Sequence, residues 1–259
     1  MPEGDAIARA ALKIRPVLVG AVPDEIVTPQ ERHRMDRWPE RLAGRAVEAV
    51  DARGKHLFLR FEGDLVLHSH LRMTGAWHVY RAGERWRRAP SRAWLVVRAR
   101  RHEVVQFNGP LLELLTGART RTLPGVAELG PDVLDERFDA AAFLRRLRAD
   151  DPTRGLGDAL LDQRNVAGIG NMWKAEACWN AGLDPWRPLR TVSNDEAVAV
   201  VEAIRPRMRS AALSGPREHA GHGVYNRAGR PCPRCGTLVR ARGQGDDNRT
   251  TFWCPGCQS

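Results

Sequence analysis

Four cysteines near the C-terminal end of the sequence have the spacing of a metal site. Cys232 and Cys235 form one Cys-x2-Cys pair, and Cys254 and Cys257 form a second pair further along the chain. Two such pairs supply four thiolates, which bind Zn²⁺ tetrahedrally and leave no open position for a substrate. The spacing therefore predicts one structural zinc ion. Two disulfides or idle thiols are the alternative, which a reducing compartment disfavours.

The same region carries other polar groups. His219 and His222 precede the cysteine pairs, but four thiolates already complete a zinc site, so neither histidine is expected to be a ligand. Arg249 lies in the loop of the predicted zinc hairpin, shortly before Cys254. A guanidinium on a rigid hairpin can contact a phosphate, although a simply solvated arginine fits the sequence too.

A glycine-rich corner is the next candidate for chemistry. In LLDQRNVAGIGNMWKAEACWNAG (160–182), Gly168 and Gly170 separate two predicted helices, and Asn171 begins the second. The backbone N–H groups at such a helix start can bind phosphate, and the Asn171 side chain adds a donor. An ordinary corner between two packed helices is the alternative.

Two segments of the first half place polar residues at the ends of predicted apolar strands. In ARGKHLFLRF, Lys55 lies at a turn that leads into an apolar strand. In LVLHSHLRMTGAW, alternation places His68 and His70 on one face and leaves a turn at Arg72–Gly75. If Met73 is exposed beside Arg72, its side chain can enter a base stack. The alternative is that Met73 is half-buried and only fills space in the protein, while His68 and His70 form a polar face whose hydrogen bonds are satisfied within the protein.

The chain opens with MPEGD, which places a proline and a carboxylate directly after the initiator methionine. Removal of Met1 would expose Pro2 as a free secondary amine next to Glu3. A frayed terminus without a role is the alternative.

Composition points to a polyanionic partner. The 259 residues include 41 Lys+Arg and 31 Asp+Glu, a formal net charge of +10, which favours nucleic acid or an anionic membrane surface. Neither an apolar run long enough for a membrane span nor a leader is evident, and the cysteines are not laid out as a secreted disulfide framework. A cytosolic protein is expected.

The elements that must position these residues follow from periodicity. A first helix is predicted over 3–19, with Pro16 kinking it or ending it early. Strands and then helices follow, with a boundary in 116–135 and a capping box at Ser193 and Glu196. The predicted strands are 45–50, 56–61, 65–70, 76–80, 93–98, 103–107 and 111–115, and the later helices are 139–149, 157–163, 171–182 and 195–213.

These elements predict an α+β protein of three domains. Residues 1–120 would form an N-terminal helix with an antiparallel β-sandwich, residues 121–215 a helical domain, and residues 216–259 a zinc-finger β-hairpin with four cysteine ligands.

Taken together, the motifs resemble the formamidopyrimidine-DNA glycosylase and endonuclease VIII family of base-excision repair enzymes. The resemblance covers nearly the whole chain and implies a β-sandwich catalytic domain, a helix-two-turn-helix DNA-binding domain and a zinc finger. The motifs that carry it, in order, are MPEG, RGKHLF, HSHLRMTG, LLDQRNVAGIGN, VYNRAGRPC and RTTFWCPGCQ.

The resemblance implies a role for each candidate residue. Pro2 resembles the family's Schiff-base nucleophile, and Glu3 resembles the acid that protonates the substrate sugar. Lys55 resembles the phosphate-contacting proton donor for β-elimination. The remaining implied roles are Asn171 in phosphate binding, Arg249 in δ-elimination, and Arg72 and Met73 in filling the gap left by an extruded base.

Three positions depart from the usual pattern of the family. Ala6 follows Asp5 where the family commonly has another glutamate, and Asp5 is the candidate to substitute for it. QFNGPLLEL (106–114) stands where the purine-directed branch usually has Arg-Arg-Phe, and SGPREHAGHGVYN (214–226) is shorter than that branch's capping loop. With MPEG at the start, the chain resembles the endonuclease VIII branch, which implies oxidised pyrimidines such as thymine glycol as substrates rather than 8-oxoguanine.

The resemblance thus implies a bifunctional DNA glycosylase and AP lyase with one structural Zn²⁺, acting on damaged DNA as a monomer at the bacterial nucleoid. An 8-oxoguanine-directed enzyme of the same family stays open. So does a zinc-containing DNA-binding protein without catalysis, which would have no use for Pro2 and Glu3. A zinc-ribbon protein of the ribosome or transcription machinery would leave the N-terminal motif unexplained.

Overall fold

The computed structural model describes residues 2–215 and 221–259. Contacts within the chain divide it into two compact units. The first contains Pro2 and Ala6–Ala127, and the second contains Glu3–Asp5 and the described residues from Glu128 onward. The predicted position His219 lies outside the described residues.

The first helix, α1 (Gly4–Leu18), confirms the amphipathic pattern seen near the start of the chain. Ile7, Ile14 and Leu18 lie at helical spacing on its buried face. Pro16 lies inside the last turn without ending the helix, so the expected early end is wrong. Pro16 has no N–H to donate to the carbonyl of Leu12, but Leu12 lies on the exposed side of the helix, where water can bond to this carbonyl. Burial of Leu18 favours continuing the helix past Pro16.

Two four-stranded antiparallel sheets form most of the rest of the first unit. One has the strand order β1-β6-β7-β5 and the other β2-β3-β4-β8. Their apolar faces enclose one core with α1, to which Leu57, Leu67, Leu95 and Val104 contribute. The strands are β1 (Glu25–Val27), β2 (Val47–Arg53), β3 (His56–Phe61), β4 (Leu65–His70), β5 (Ala76–Arg81), β6 (Ala93–Ala99), β7 (His102–Phe107) and β8 (Leu111–Thr116).

Four short elements of this unit were not anticipated from the sequence. They are β1, α2 (Glu31–Met35), α3 (Trp38–Leu42) and α4 (Gly117–Arg121). Each has three to five residues, too few to show a helical or strand period, and tertiary packing determines them.

The second unit is helical. Its helices are α5 (Ala140–Arg148), α6 (Leu156–Leu161), α7 (Asn171–Ala181), α8 (Asn194–Glu202) and α9 (Arg205–Ser214). The capping box of Ser193 and Glu196 opens α8 as predicted. The single helix expected over 195–213 is wrong, because Pro206 lacks an N–H and instead lies in the first turn of a new helix, α9.

A two-stranded hairpin, β9 (Arg240–Gln244) and β10 (Arg249–Trp253), completes this unit. Cys232, Val239 and Cys254 pack with Val224 and with Ala175 of α7 in a small core of their own. Within residues 2–215 and 221–259, none of the helices has the length and apolar character needed to cross a membrane.

Candidate active site and metal centre

The carboxylate of Glu3 lies at the start of α7. Its Oε2 accepts hydrogen bonds from the backbone N–H groups of Gly170 (2.9 Å) and Trp173 (3.2 Å), and its Oε1 accepts from that of Met172 (2.9 Å). The side chain is buried, with 3% of the residue exposed. These donors and the helix dipole stabilise negative charge at this position.

This arrangement corrects one expectation. The free N–H groups at the start of α7 were expected to bind phosphate, but Glu3 occupies them. Glycine is needed here for close approach: a Cβ on Gly170 would lie 2.3 Å from Cδ of Glu3. Gly168 has a φ of +97°, as expected for a residue that turns the chain into the helix.

The residues around Glu3 hold the N-terminal segment in place. The N–H of Gly4 donates to the carbonyl of Gly168 (2.9 Å), and the Trp173 indole Nε1 donates to Oδ1 of Asp5 (3.0 Å). Pro2, which precedes this anchored segment, is half-buried. The frayed-terminus alternative is therefore wrong from Glu3 onward.

Asn171 and Arg249 lie close together in the second unit. The Asn171 side-chain amide donates to the carbonyl of Thr250 (2.8 Å), the residue after Arg249. The Arg249 guanidinium pairs with the exposed carboxylate of Asp247 at 2.9 Å. The structure thus brings together two candidates that lie far apart in the sequence.

A buried lysine that sequence reasoning missed lies one turn after Asn171. Lys174 is fully buried, and its Nζ donates to Oγ1 of Thr251 and to Oε1 of Gln244 (3.5 Å). Burial lowers the pKa of Lys174 to about 8. Gln244 lies on β9 and Thr251 lies on β10, so Lys174 joins α7 to both hairpin strands. Gln244 Nε2 also donates to the carbonyl of Pro185 (2.6 Å). Lysine is rare in this chain, which has only Lys13, Lys55 and Lys174, and this rarity was the one signal that could have singled out Lys174.

In the first unit, Lys55 lies in the turn between β2 and β3, beside the ends of β3 and β4. His56 pairs in register with His70, and the chain continues from His70 into Arg72. Burial and then the charges of Arg72 and Lys55 lower the pKa of His70 to about 4. Burial, followed by the neighbouring histidines and the same cations, lowers the pKa of His56 to about 3.

A chain of hydrogen bonds links His56 through His68 to Glu113. Nδ1 of His56 and Nε2 of His68 are 2.8 Å apart, and Nδ1 of His68 lies 3.3 Å from Oε2 of Glu113 on β8. A carboxylate only accepts, so His68 donates from Nδ1 and, when neutral, accepts at Nε2 from His56. Alternation along the sequence predicted that His68 and His70 share a face. It could not predict the partners of His68 on other strands, His56 and Glu113.

The turn at Arg72–Gly75 is present as predicted. Arg72 has a φ of +47°, and Met73 is 69% exposed. The filler interpretation of Met73 is therefore wrong, because the side chain lies outside the core.

The four cysteines come together as a candidate metal centre. Their Sγ atoms all lie within 4.8 Å of one another, with 3.4 Å between Cys235 and Cys254 and 3.8 Å between Cys232 and Cys257. A tetrahedral zinc site with Zn–S bonds of ~2.3 Å has sulfur atoms about 3.8 Å apart. The donor set and spacing fit Zn²⁺, and no pair is a disulfide. Among the residues that the structure describes, this is the one such cluster, and His222 is not part of it.

Relatives align with the whole chain. It is 41% identical to "Probable endonuclease 8 2" of Streptomyces coelicolor, over 100% of this chain and 94% of that protein. It is 34% identical to "DNA-(apurinic or apyrimidinic site) lyase Nei2" of Mycolicibacterium smegmatis, over 100% and 99%, and 30% identical to "Endonuclease 8" of Escherichia coli, over 100% of both.

Solved structures share the fold. A complex of Lactococcus lactis Fpg with DNA containing N7-benzyl-Fapy-dG has a TM-score of 0.83 at 23% identity, with 100% of both chains covered. A complex of the Lactococcus lactis Fpg with abasic-site DNA has a TM-score of 0.84 at 22% identity and the same coverage.

Two family descriptions match consecutive parts of the chain. Residues 1–111 match the formamidopyrimidine-DNA glycosylase N-terminal domain, and residues 129–217 match the formamidopyrimidine-DNA glycosylase H2TH domain. With the full-length identity to endonuclease 8 proteins, these matches show that the chain belongs to the formamidopyrimidine-DNA glycosylase and endonuclease VIII family.

Proposed function

We propose that this protein is a bifunctional DNA glycosylase and AP lyase that removes oxidised bases through a Schiff base on Pro2. The observation that carries the proposal is the anchoring of Glu3 at the start of α7. It places a buried carboxylate directly after the residue that becomes the N-terminal amine. Membership of a family whose relatives are named endonuclease 8 and AP lyase supports the same reaction.

The chemistry follows from the secondary amine. Once Met1 is removed, the Pro2 nitrogen attacks C1′ of the damaged nucleotide as the base leaves. Condensation of a secondary amine with this carbon gives only a cationic iminium, which acidifies C2′. Loss of the C2′ proton expels the 3′ phosphate, and a second elimination expels the 5′ phosphate.

Glu3 supplies the proton transfer beside this amine. Its carboxylate accepts the proton that the Pro2 nitrogen loses on bonding to C1′ and passes it to the sugar ring oxygen, so that the ring opens. Glu3 then moves protons between successive intermediates. Because its carboxylate is held by backbone donors, the group has a fixed position when the sugar arrives.

The other candidates hold the DNA. Lys55, Asn171 and Arg249 contact phosphates around the extruded nucleotide, and Lys55 also donates a proton during β-elimination. Arg72 and Met73 fill the space that the nucleotide leaves. Extrusion costs a few kcal/mol of lost stacking, and these contacts offset that cost.

Zn²⁺ held by the four cysteines would stabilise the hairpin that carries Arg249. A closed four-thiolate site has no position for substrate, so the metal is structural. We propose residues 216–259 as the zinc-finger region. The protein would act as a monomer on chromosomal DNA in the bacterial cytoplasm.

Oxidised pyrimidines such as thymine glycol are the proposed substrates. The endonuclease 8 relatives and the QFNGPLLEL segment (106–114) support this choice over 8-oxoguanine. A panel of lesion duplexes tests it. Faster release of 8-oxoguanine opposite cytosine than of any oxidised pyrimidine would assign the chain to purine lesions instead.

Borohydride trapping on an abasic-site duplex tests the mechanism. The processed protein should form a covalent adduct, and Pro2→Gly should form none. Intact mass must first establish that Met1 has been removed, since a retained methionine converts the amine into an amide. A processed protein that gives no adduct would leave only a DNA-binding role.

A further inference from the structure

The turn that carries Met73 is held by contacts from both of its flanks. The N–H of Gly75 donates to the carbonyl of Leu71 (2.9 Å), and the N–H of Arg72 donates to Nδ1 of His70 (3.1 Å). A Cβ on Gly75 would lie 2.7 Å from the Leu71 oxygen, so glycine is required at this position.

Two further donors converge on the carbonyl of Thr74, directly after Met73. Nη1 of Arg88, from the loop between β5 and β6, lies 3.0 Å from this oxygen. Nδ2 of Asn108, from the turn between β7 and β8, lies 3.4 Å from it. A carbonyl oxygen has two lone pairs, so both donors can be accommodated.

The loop that carries Arg88 is itself anchored. The Trp86 indole Nε1 donates to Oε2 of Glu103 (2.7 Å), and the N–H of Arg87 donates to the hydroxyl of Tyr80 (3.1 Å). Trp86 also packs edge-on against Phe107. Arg88 therefore reaches the turn from a fixed base rather than from a loose loop.

A side chain that enters a base stack separates two bases, which costs a few kcal/mol of unstacking free energy per step. The side chain can hold the bases apart only if the backbone that carries it keeps its conformation. The Met73 turn is exposed and contains a residue with positive φ, which by itself favours relaxation to other conformations.

We propose that Arg88 is a positioning residue that braces the Met73 turn against the DNA duplex, with Asn108 as its weaker partner. The inference rests on the proposed function, in which Met73 fills the gap left by the extruded nucleotide. Arg88 acts through the Thr74 carbonyl and not through the reacting atoms.

The test compares trapping rates on an abasic-site duplex and on the same abasic oligonucleotide as a single strand, which has no stack to hold open. For Arg88→Ala, the duplex-to-single-strand ratio of rates should fall about tenfold, the scale of one lost positioning hydrogen bond. Arg88→Lys, which retains a donor, should restore most of the ratio. Arg85→Ala, an exposed arginine in the same loop, is the matched control and should retain the ratio.

A second readout distinguishes bracing from general DNA affinity. With 2-aminopurine opposite the abasic site, the fluorescence rise on binding should be smaller for Arg88→Ala at saturating protein. In the Met73→Ala background, Arg88→Ala should have no further effect on the ratio. An unchanged ratio for Arg88→Ala, or an equal loss in the Met73→Ala background, would overturn the inference. Failure of the unmodified protein to trap either substrate would instead refute the proposed function.

Discussion

At the level of single residues, the carboxylate of Glu3 combines burial with three backbone donors. Glutamine at this position has only one acceptor oxygen, and its NH₂ group would face N–H donors. At least one buried donor would then lose its partner, which costs on the order of 1–3 kcal/mol.

We therefore expect Glu3→Gln to lower both activity and stability. Base excision should fall by about 100-fold or more, the scale of a lost general acid. Urea unfolding and single-turnover excision of a lesion duplex measure the two effects.

Asp5→Asn is the matched control for this substitution. Its amide oxygen can still accept the Trp173 indole N–H, so excision should stay near that of the unmodified protein. A large loss of excision activity in Asp5→Asn would show that Asp5 takes over the role of the glutamate that the family commonly has at the position of Ala6. Normal excision by Glu3→Gln would contradict the assignment of Glu3.

The residue types near the N-terminus were readable from the sequence, but their partners were not. Glu3 bonds a helix start 167 residues away, and no periodicity relates positions at that distance. Lys174 was equally hidden, because its neighbours Gln244 and Thr251 come from a hairpin whose pairing local sequence does not specify.

Among the secondary-structure elements, the corner before α7 makes the next prediction. Gly170→Ala would place a methyl group 2.3 Å from Cδ of Glu3. The displaced carboxylate should reduce excision at least tenfold and lower the free energy of unfolding by about 1–3 kcal/mol. Single-turnover excision and urea unfolding check both effects.

Gly83→Ala separates steric overlap from backbone strain. Gly83 has a φ of +80° with open space around the position that a Cβ would occupy, so alanine there costs only about 1–2 kcal/mol of backbone strain. Excision should be retained in this variant. Equal activity losses in both variants would argue against a specific role for the Glu3 contact.

The end of the sheet formed by β3 and β4 should make stability depend on pH. The pKa is lowered from 6.5 to about 3 for His56 and to about 4 for His70. Between pH 6.5 and about 4 the unfolded chain therefore binds more protons than the folded chain. The free energy of unfolding should fall as the pH drops through this window, by up to about 1.4 kcal/mol per pH unit for each histidine.

Urea unfolding at pH 7 and pH 5 measures this slope. His56→Gln should reduce it by the contribution of one proton, and an unchanged slope would show that the cluster does not carry the effect.

Alternation and helical spacing predicted the larger elements well. The strands β3 and β4 have the predicted bounds, because their apolar side chains pack against one core and turn residues flank them. Short elements such as α2 and α3 lack enough residues for a period. Pro206 was the sequence signal for the break before α9. The break was missed because the apolar pattern continues on both sides of Pro206.

For the whole molecule, the cysteine cluster predicts a metal-dependent hairpin. Native mass spectrometry should find one zinc ion per chain, and a chelator should remove it. Hydrogen exchange across β9 and β10 should then rise, since a site of this kind contributes directly to folding. Binding to an abasic-site duplex should weaken because Arg249 loses its rigid support.

Cys254→Ser should reproduce the loss of zinc. Cys178→Ala, which replaces the one cysteine outside the cluster, should retain the metal. Full DNA binding by the zinc-free protein would contradict the support that we assign to the hairpin.

The long separation between Glu3 and α7 has a consequence for how the protein matures. During synthesis the N-terminus leaves the ribosome first, and the helix that anchors it follows 167 residues later. At about 5–20 residues per second, this interval lasts roughly 10–30 s. The methionine that blocks Pro2 is thus accessible to an aminopeptidase before the segment can dock. Late docking of the terminus therefore gives the cell time to create the amine that we propose as the nucleophile.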